Sequence, residues 1–233
     1  MEFTPFPKIA RLNREIVITE KIDGTNASIF VEPVVPGHML PDPHVIWENQ
    51  FLRMKAGSRT RWIVPGDDNY GFAAWAQAYA EELAPKLGPG LHFGEWWGYG
   101  IQRGYGLPKG DRRFSLFNTN RWDDVIARPT CCEVVPTLWR GDAKHAIGPE
   151  VALELLRKHG SFAEPGFLDP EGIMVYHTAA NLCFKATLKG DEMGKSQEAH
   201  MKKEQPPRPP KNPAVGGRRK GQVEIGFADR RKK

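Results

Sequence analysis

Thr19-Glu20-Lys21-Ile22-Asp23-Gly24-Thr25-Asn26 is the segment of this chain richest in groups that could do chemistry. A lysine at a bend, flanked by Glu20 and Asp23 and followed by a glycine that would let a phosphate approach the backbone, has the setting of a covalent nucleophile. Taken alone, the segment reads equally well as a surface hairpin of mixed charge. Other candidates are weaker. Phe117 by itself reads as core, and Trp96 and Trp97, adjacent on one strand, must face opposite ways, one into the core and the other to the surface or a substrate. Gly98-x-Gly100-x-x-x-Gly104 has neither the spacing nor the following helix of a dinucleotide fingerprint. The seven histidines show no metal-ligand spacing, and Cys131, Cys132 and Cys183 form no knuckle or disulfide framework, so they read as small buried residues.

The elements that must position Lys21 are mostly strands. Ile16–Thr19, Ala27–Val31, Val45–Glu48, Leu91–Trp96, Phe114–Asn118, Val134–Trp139, Gly172–Tyr176 and Leu182–Thr187 are short and rich in β-branched and aromatic residues, and most are bounded by Gly, Pro, Asp or Asn. Phe72, Trp75, Ala76, Tyr79 and Leu83 recur at helical spacing, as do Ala152, Leu155 and Leu156 within 149–159. Two helices among eight strands are too few for a doubly wound parallel sheet, so the expected class is α+β with antiparallel pairing. Pro33–Pro43 reads as a surface excursion between strands.

The chain has 233 residues, 40% of them apolar, with a mean hydropathy of -0.51, as in a globular protein with one core. It has no run long enough for a membrane span and no signal-peptide order at Met1–Ile18, so an intracellular protein is expected. The formal charge of +5 points to a nucleic-acid partner, but residues 196–233 hold 11 Lys/Arg against 4 Asp/Glu, leaving 22 against 24 in residues 1–195. The expected organisation is therefore a nearly neutral body, 1–195, and a basic Pro/Gly-rich tail, 196–233, of a composition that favours flexibility.

Further short elements follow Lys21–Asn26 in order: Ser58-Arg59, Phe93-Gly94-Glu95-Trp96-Trp97-Gly98, Ile101-Gln102, Phe114–Asn118, Glu171-Gly172-Ile173-Met174-Val175 and Phe184-Lys185. With these in place, residues 19–189 resemble the covalent nucleotidyltransferases, the superfamily of polynucleotide ligases and mRNA capping enzymes. Within it the sequence is most similar to the ATP-dependent RNA ligases that seal nicks in duplex RNA. The resemblance implies an antiparallel-sheet adenylyltransferase domain of ATP-grasp-like ligase type, here without a C-terminal OB-fold, because the residues after Lys189 are too few for a five-stranded barrel.

The resemblance also implies roles. Lys21 would attack the α-phosphorus of ATP and carry AMP, and Lys185 would ligate the α-phosphate and hold Lys21 neutral. Glu171 and Asp23 would meet Mg²⁺ or Mn²⁺, with the leaving hydroxyl as a second possibility for Asp23. Glu95 would accept from a ribose hydroxyl, Phe117 would stack on adenine, and Glu20 would meet the adenine edge through its carboxylate or backbone. Asn26 would orient the α-phosphate or the substrate ends, which accounts for the glycosylation-like Asn26-Ala27-Ser28. Arg59 would bind a phosphate of ATP or of the nicked strand. Arg103 and the tail cations Lys202, Lys203, Arg218, Arg219 and Lys220 would contact nucleic acid. One position departs from the pattern: the second lysine of the closing strand is Thr187 here, and Lys189 is the candidate substitute.

The implied reaction joins a 3'-hydroxyl to a 5'-phosphate through a lysyl-AMP and an adenylated 5'-end. The expected partner is nicked duplex RNA or an RNA/DNA hybrid, acted on by a monomer with no membrane. A minimal DNA ligase, a GTP-using guanylyltransferase and a catalytically inactive nucleic-acid binder are the alternatives.

Overall fold

A computed structural model describes residues 3–37 and 40–189. The tail expected at 196–233 lies outside the described residues, as do its candidate contacts Lys202, Lys203, Arg218, Arg219 and Lys220.

Two mostly antiparallel sheets make the α+β fold. The smaller has the order β11(Leu182–Thr187), β10(Gly172–His177), β1(Glu15–Lys21), β9(Thr137–Asp142). The larger runs β3(Val45–Glu48), β4(Leu52–Ser58), β2(Thr25–Pro33), β6(Gly90–Gly98), β7(Arg112–Leu116), β8(Cys132–Val134), with β5(Trp62–Ile63) on β4. Only β7 and β8 pair in parallel among the described strands. The chain leaves β1 and enters β2 through residues 22–24, so the segment holding Lys21 joins the two sheets.

Alternation decides how the larger sheet packs. Ala27, Ile29 and Val31 of β2, Met54 and Ala56 of β4, Trp96 of β6 and Phe114 and Leu116 of β7 lie on one face. That face is sealed by α1(Phe72–Ala78) and α2(Ala80–Leu87). The single periodic stripe from Phe72 to Leu83 is thus two helices. The helices break at Tyr79, which is half exposed, while the buried spacing runs on through the break as Ala73, Ala76, Ala80, Leu83, Ala84 and Leu87. The short α3(Thr119–Trp122), capped by the Asn118 side chain, adds Trp122 to the same core. On the smaller sheet, α4(Pro149–His159) covers Ile18 and Ile173 with Ala152 and Leu156.

Several sequence expectations are corrected. β4 lies outside the expected strands because Leu-Arg-Met-Lys-Ala-Gly-Ser has no β-branched residue; pairing with β2 makes it a strand, and the two-residue β5 pairs on β4. The strand expected over 134–139 splits at Pro136, which has no N–H for a ladder and whose carbonyl accepts from the Glu20 N–H at 2.9 Å. Trp97 is not a surface residue. It is buried with Ile22, Tyr105, Leu107 and Val135, and its indole N–H donates to Ser115 Oγ at 2.9 Å. Of the cysteines, Cys132 is buried, Cys131 half-buried, and Cys183 exposed on the edge strand β11. Among the described residues no helix is long and apolar enough to cross a membrane.

Candidate active site

Lys21 is the last residue of β1 and pairs in register with Gly172, the first of β10. That pairing sets Lys21 beside the preceding residue, Glu171, and its Nζ lies 2.5 Å from Glu171 Oε2. Both side chains stay partly open, at 24% and 19% exposure, so the contact is reached by solvent. Gly172 also lets β11 lie close against β10. A Cβ there would sit 2.2 Å from the Ala186 carbonyl oxygen and 2.7 Å from Thr187 Cα on β11.

The bend after Lys21 is fixed from the larger sheet. The Gly24 N–H donates to Glu95 Oε1 at 3.1 Å. A Cβ on Gly24 would meet the Trp96 carbonyl oxygen at 2.5 Å and Trp97 Cβ at 2.8 Å. The glycine therefore admits strand β6 beneath the bend. Burial drives the Glu95 carboxyl up to about 7; Lys21 and the Gly24 N–H oppose the rise, and Glu171 and Asp23 add to it. Glu95, Glu171 and Asp23 thus sense one another around a single lysine. Asn26 pairs with Glu95 across β2 and β6, which sets it on the same face.

Phe117 follows β7 on that face. Ser115 pairs with Glu95, and two residues on, the Phe117 N–H donates to the Phe93 carbonyl at 3.0 Å. At 40% exposure Phe117 is not core, so the core reading that the residue alone supported is set aside. Phe93 beside it is 49% exposed, a second aromatic the sequence reading overlooked although its spacing of two from Glu95 already gave it the same face. Arg59 is exposed just beyond β4. Because Ser58 pairs with Ala27, Arg59 falls at the level of Asn26, one strand away.

The remaining candidates divide. Register lines Lys21 with Gly172 and Thr187, and Thr19 with Met174 and Lys185. Lys185 is exposed on the Lys21 face, one row along and two strands across, the latter about 10 Å. Lys189, the candidate substitute for the second closing-strand lysine, lies past the end of β11, and its ammonium is 2.6 Å from Asp169 Oδ1. Glu20 points the opposite way from Lys21. Its carboxylate is buried and accepts from Ser161 Oγ at 2.6 Å and from the Phe162 and Ala163 N–H groups at 2.7 and 3.0 Å. Its backbone N–H is spent on Pro136. Those three donors occupy the carboxylate, and burial raises its protonation despite them.

Arg103 and Tyr105 meet Asp23. Arg103 Nε donates to Asp23 Oδ2 at 2.8 Å, and the Asp23 N–H donates to Tyr105 Oη at 2.8 Å. Tyr105 went unnoticed in the sequence, where Gly104-Tyr105-Gly106 signals only a tight turn.

Comparison with known proteins follows this geometry. The sequence profile of the RNA ligase family matches residues 14–189. Among solved structures, a substituted Naegleria gruberi RNA ligase with ATP and Mn shares 17% identity, covering 82% of this chain and 52% of that one at a TM-score of 0.50. The same organism's RNA ligase with pyrophosphate shares 16% identity over 82% and 52% of the two chains, at a TM-score of 0.48. This chain therefore spans about half the length of the solved ligases it matches. No curated protein matches it in sequence. The first likeness supports the fold, and the profile runs from the start of β1 to just past β11. The chain belongs to the RNA ligase family.

Proposed function

We propose that this chain is an ATP-dependent RNA ligase that works through a lysyl-AMP, with Lys21 as the nucleophile. The observation that carries the reading is the contact of Lys21 with Glu171 beside the half-buried Glu95, at a bend joining two sheets. Attack forms a bond from Nζ to the α-phosphorus and breaks the bond to pyrophosphate. The amine must first lose its proton and its contact with Glu171. Glu95, on the face that also carries Asn26, Phe93 and Phe117, accepts from a ribose hydroxyl while an exposed ring receives the adenine. Arg59 and Lys185 supply phosphate cations.

The donor set fits a divalent metal. Glu171, Asp23 and Glu95 offer only carboxylate oxygens, and among the described residues no three or more potential ligands converge on one point. That suits Mg²⁺ or Mn²⁺, which keep much of their water and take one or two carboxylates. Glu171 and Asp23 would hold the ion, which supplies charge neutralisation on the triphosphate.

In the later steps AMP passes to the 5'-phosphate of a nicked duplex, and the 3'-hydroxyl displaces it. RNA is favoured over DNA by the family match. The basic residues 196–233 form a separate segment that adds salt-dependent affinity for the nicked strand.

Incubation with ATP radiolabelled in the α-phosphate, plus Mg²⁺, tests the first step. Wild type acquires label, GTP in place of ATP gives none, and Lys21→Ala loses the label completely while keeping its far-ultraviolet spectrum. Equal labelling of Lys21→Ala overturns the assignment.

A further inference from the structure

Arg103 is not placed as an open nucleic-acid contact. Besides its 2.8 Å bond to Asp23 Oδ2, its Nη1 donates to the Asp169 carbonyl at 2.8 Å and the Pro170 carbonyl at 3.3 Å, and lies 3.1 Å from Asp169 Oδ2. Its side chain is only 24% exposed. The two segments it bridges are those that carry the reacting pair: Asp23 is two residues after Lys21, and Pro170 immediately precedes Glu171. Arg103 itself comes from the turn after β6, the strand that carries Glu95. One guanidinium therefore ties together the three segments that bear Lys21, Glu171 and Glu95, using the fixed fork that a lysine lacks.

The backbone that presents it is unusual. Within the turn, Gln102 and Tyr105 have φ of 44° and 52°, and Gly100, Gly104 and Gly106 are also left-handed, at 76°, 67° and 71°. Left-handed non-glycine residues carry strain and persist where surrounding contacts over-determine them. Here those contacts are Tyr105, packed against Trp97 and Phe167 with its hydroxyl on the Asp23 N–H, and Arg103 on Asp23. Asp169, shared with Lys189, completes the chain of charges.

We infer that Arg103 is a positioning residue for lysine adenylylation, holding the Lys21 bend and the Glu171 segment in register through Asp23 and the Asp169 and Pro170 carbonyls. It rests on the ligase reading above, and its effect falls on the rate of nucleotidyl transfer, not on capture of ATP or nucleic acid.

The test compares full-length wild type, Arg103→Ala and Arg103→Lys in single-turnover labelling across a range of ATP concentrations, with thermal midpoints, nucleic-acid affinity and amide exchange measured alongside. Misplacement of reacting groups by an ångström can cost up to about 100-fold, so Arg103→Ala should slow lysyl-AMP formation at saturating ATP by about 30-fold. The ATP concentration for half-maximal rate should move less than about threefold, because ground-state contacts remain. Arg103→Lys should recover only a small part of the rate, since one ammonium cannot span both segments. Wild-type labelling by Arg103→Ala with weakened nucleic-acid binding would return Arg103 to the substrate surface and overturn the inference, as would a rate loss fully explained by unfolding. If wild type itself takes no label, the ligase reading fails, and exchange still judges the clamp. The Asp23 and Gly24 amides should exchange faster in Arg103→Ala, and unchanged exchange overturns the inference.

Discussion

The two sheets differ in how fully each is sealed, and the Lys21 segment joins them. Among the described residues, the core under the larger sheet gathers twenty buried side chains, with Phe72, Trp96 and Phe114 at its centre, whereas the cluster under the smaller sheet has four, Ile18, Ala152, Leu156 and Ile173. On β11 the first four residues, Leu182 to Lys185, are all exposed. Glu95 comes from the well-sealed side and is strongly perturbed by burial, while Lys21 and Glu171 come from the thinner side and stay in reach of solvent. The junction thus sets a carboxyl raised to about 7 near a lysine that is open to solvent.

Truncation tests the contrast most strongly. Phe72→Ala removes a fully buried ring in contact with Trp75, Trp96 and Phe114, and should cost about 3–5 kcal/mol by denaturant unfolding. Phe184→Ala, at 57% exposure on β11, should change stability by less than about 0.5 kcal/mol. Similar losses from the two would erase the distinction.

Next in size is the protonation of Glu95. Its folded value of about 7 lies above the ordinary 4.5, so its contribution to stability is fully present below about pH 4.5 and is lost as pH rises through 7. Glu95→Gln should therefore match wild type at pH 4 and exceed it at pH 8 by up to about 3 kcal/mol, while losing nucleotide labelling. A stability difference that does not vary with pH would show that burial does not set this carboxyl.

The smallest effect concerns the basic segment. Truncation after Lys195 should leave self-labelling within about twofold and weaken nick binding by several-fold at low salt, lowering the salt slope, because each phosphate contact adds roughly one unit to it. Unchanged binding and slope would remove residues 196–233 from the substrate path.

Much of this was legible in the chain. Short alternating runs gave β2, β3, β6, β10 and β11 to within a few residues, because one face of each must be apolar. The order of short elements from Lys21 to Lys185 pointed to the family, because several elements agreeing in sequence order are far more specific than any one of them. β4 was not legible, for its strand state comes from β2 and not from its own residues. Nor was the direction of Glu20, whose type fits an adenine contact equally well but whose place on β1 turns it toward Ser161.

By itself, then, the sequence determined the family, the strand-rich class and the confinement of excess positive charge to residues 196–233. These follow from residue type, periodicity and composition, all local properties. Tertiary structure alone decided that Gly24 makes room for β6, that Gly172 makes room for β11, and that Arg103 clamps Asp23 and does not stand free for nucleic acid. Each depends on a close approach between segments tens of residues apart, set by sheet register and packing, and no local pattern encodes such distances.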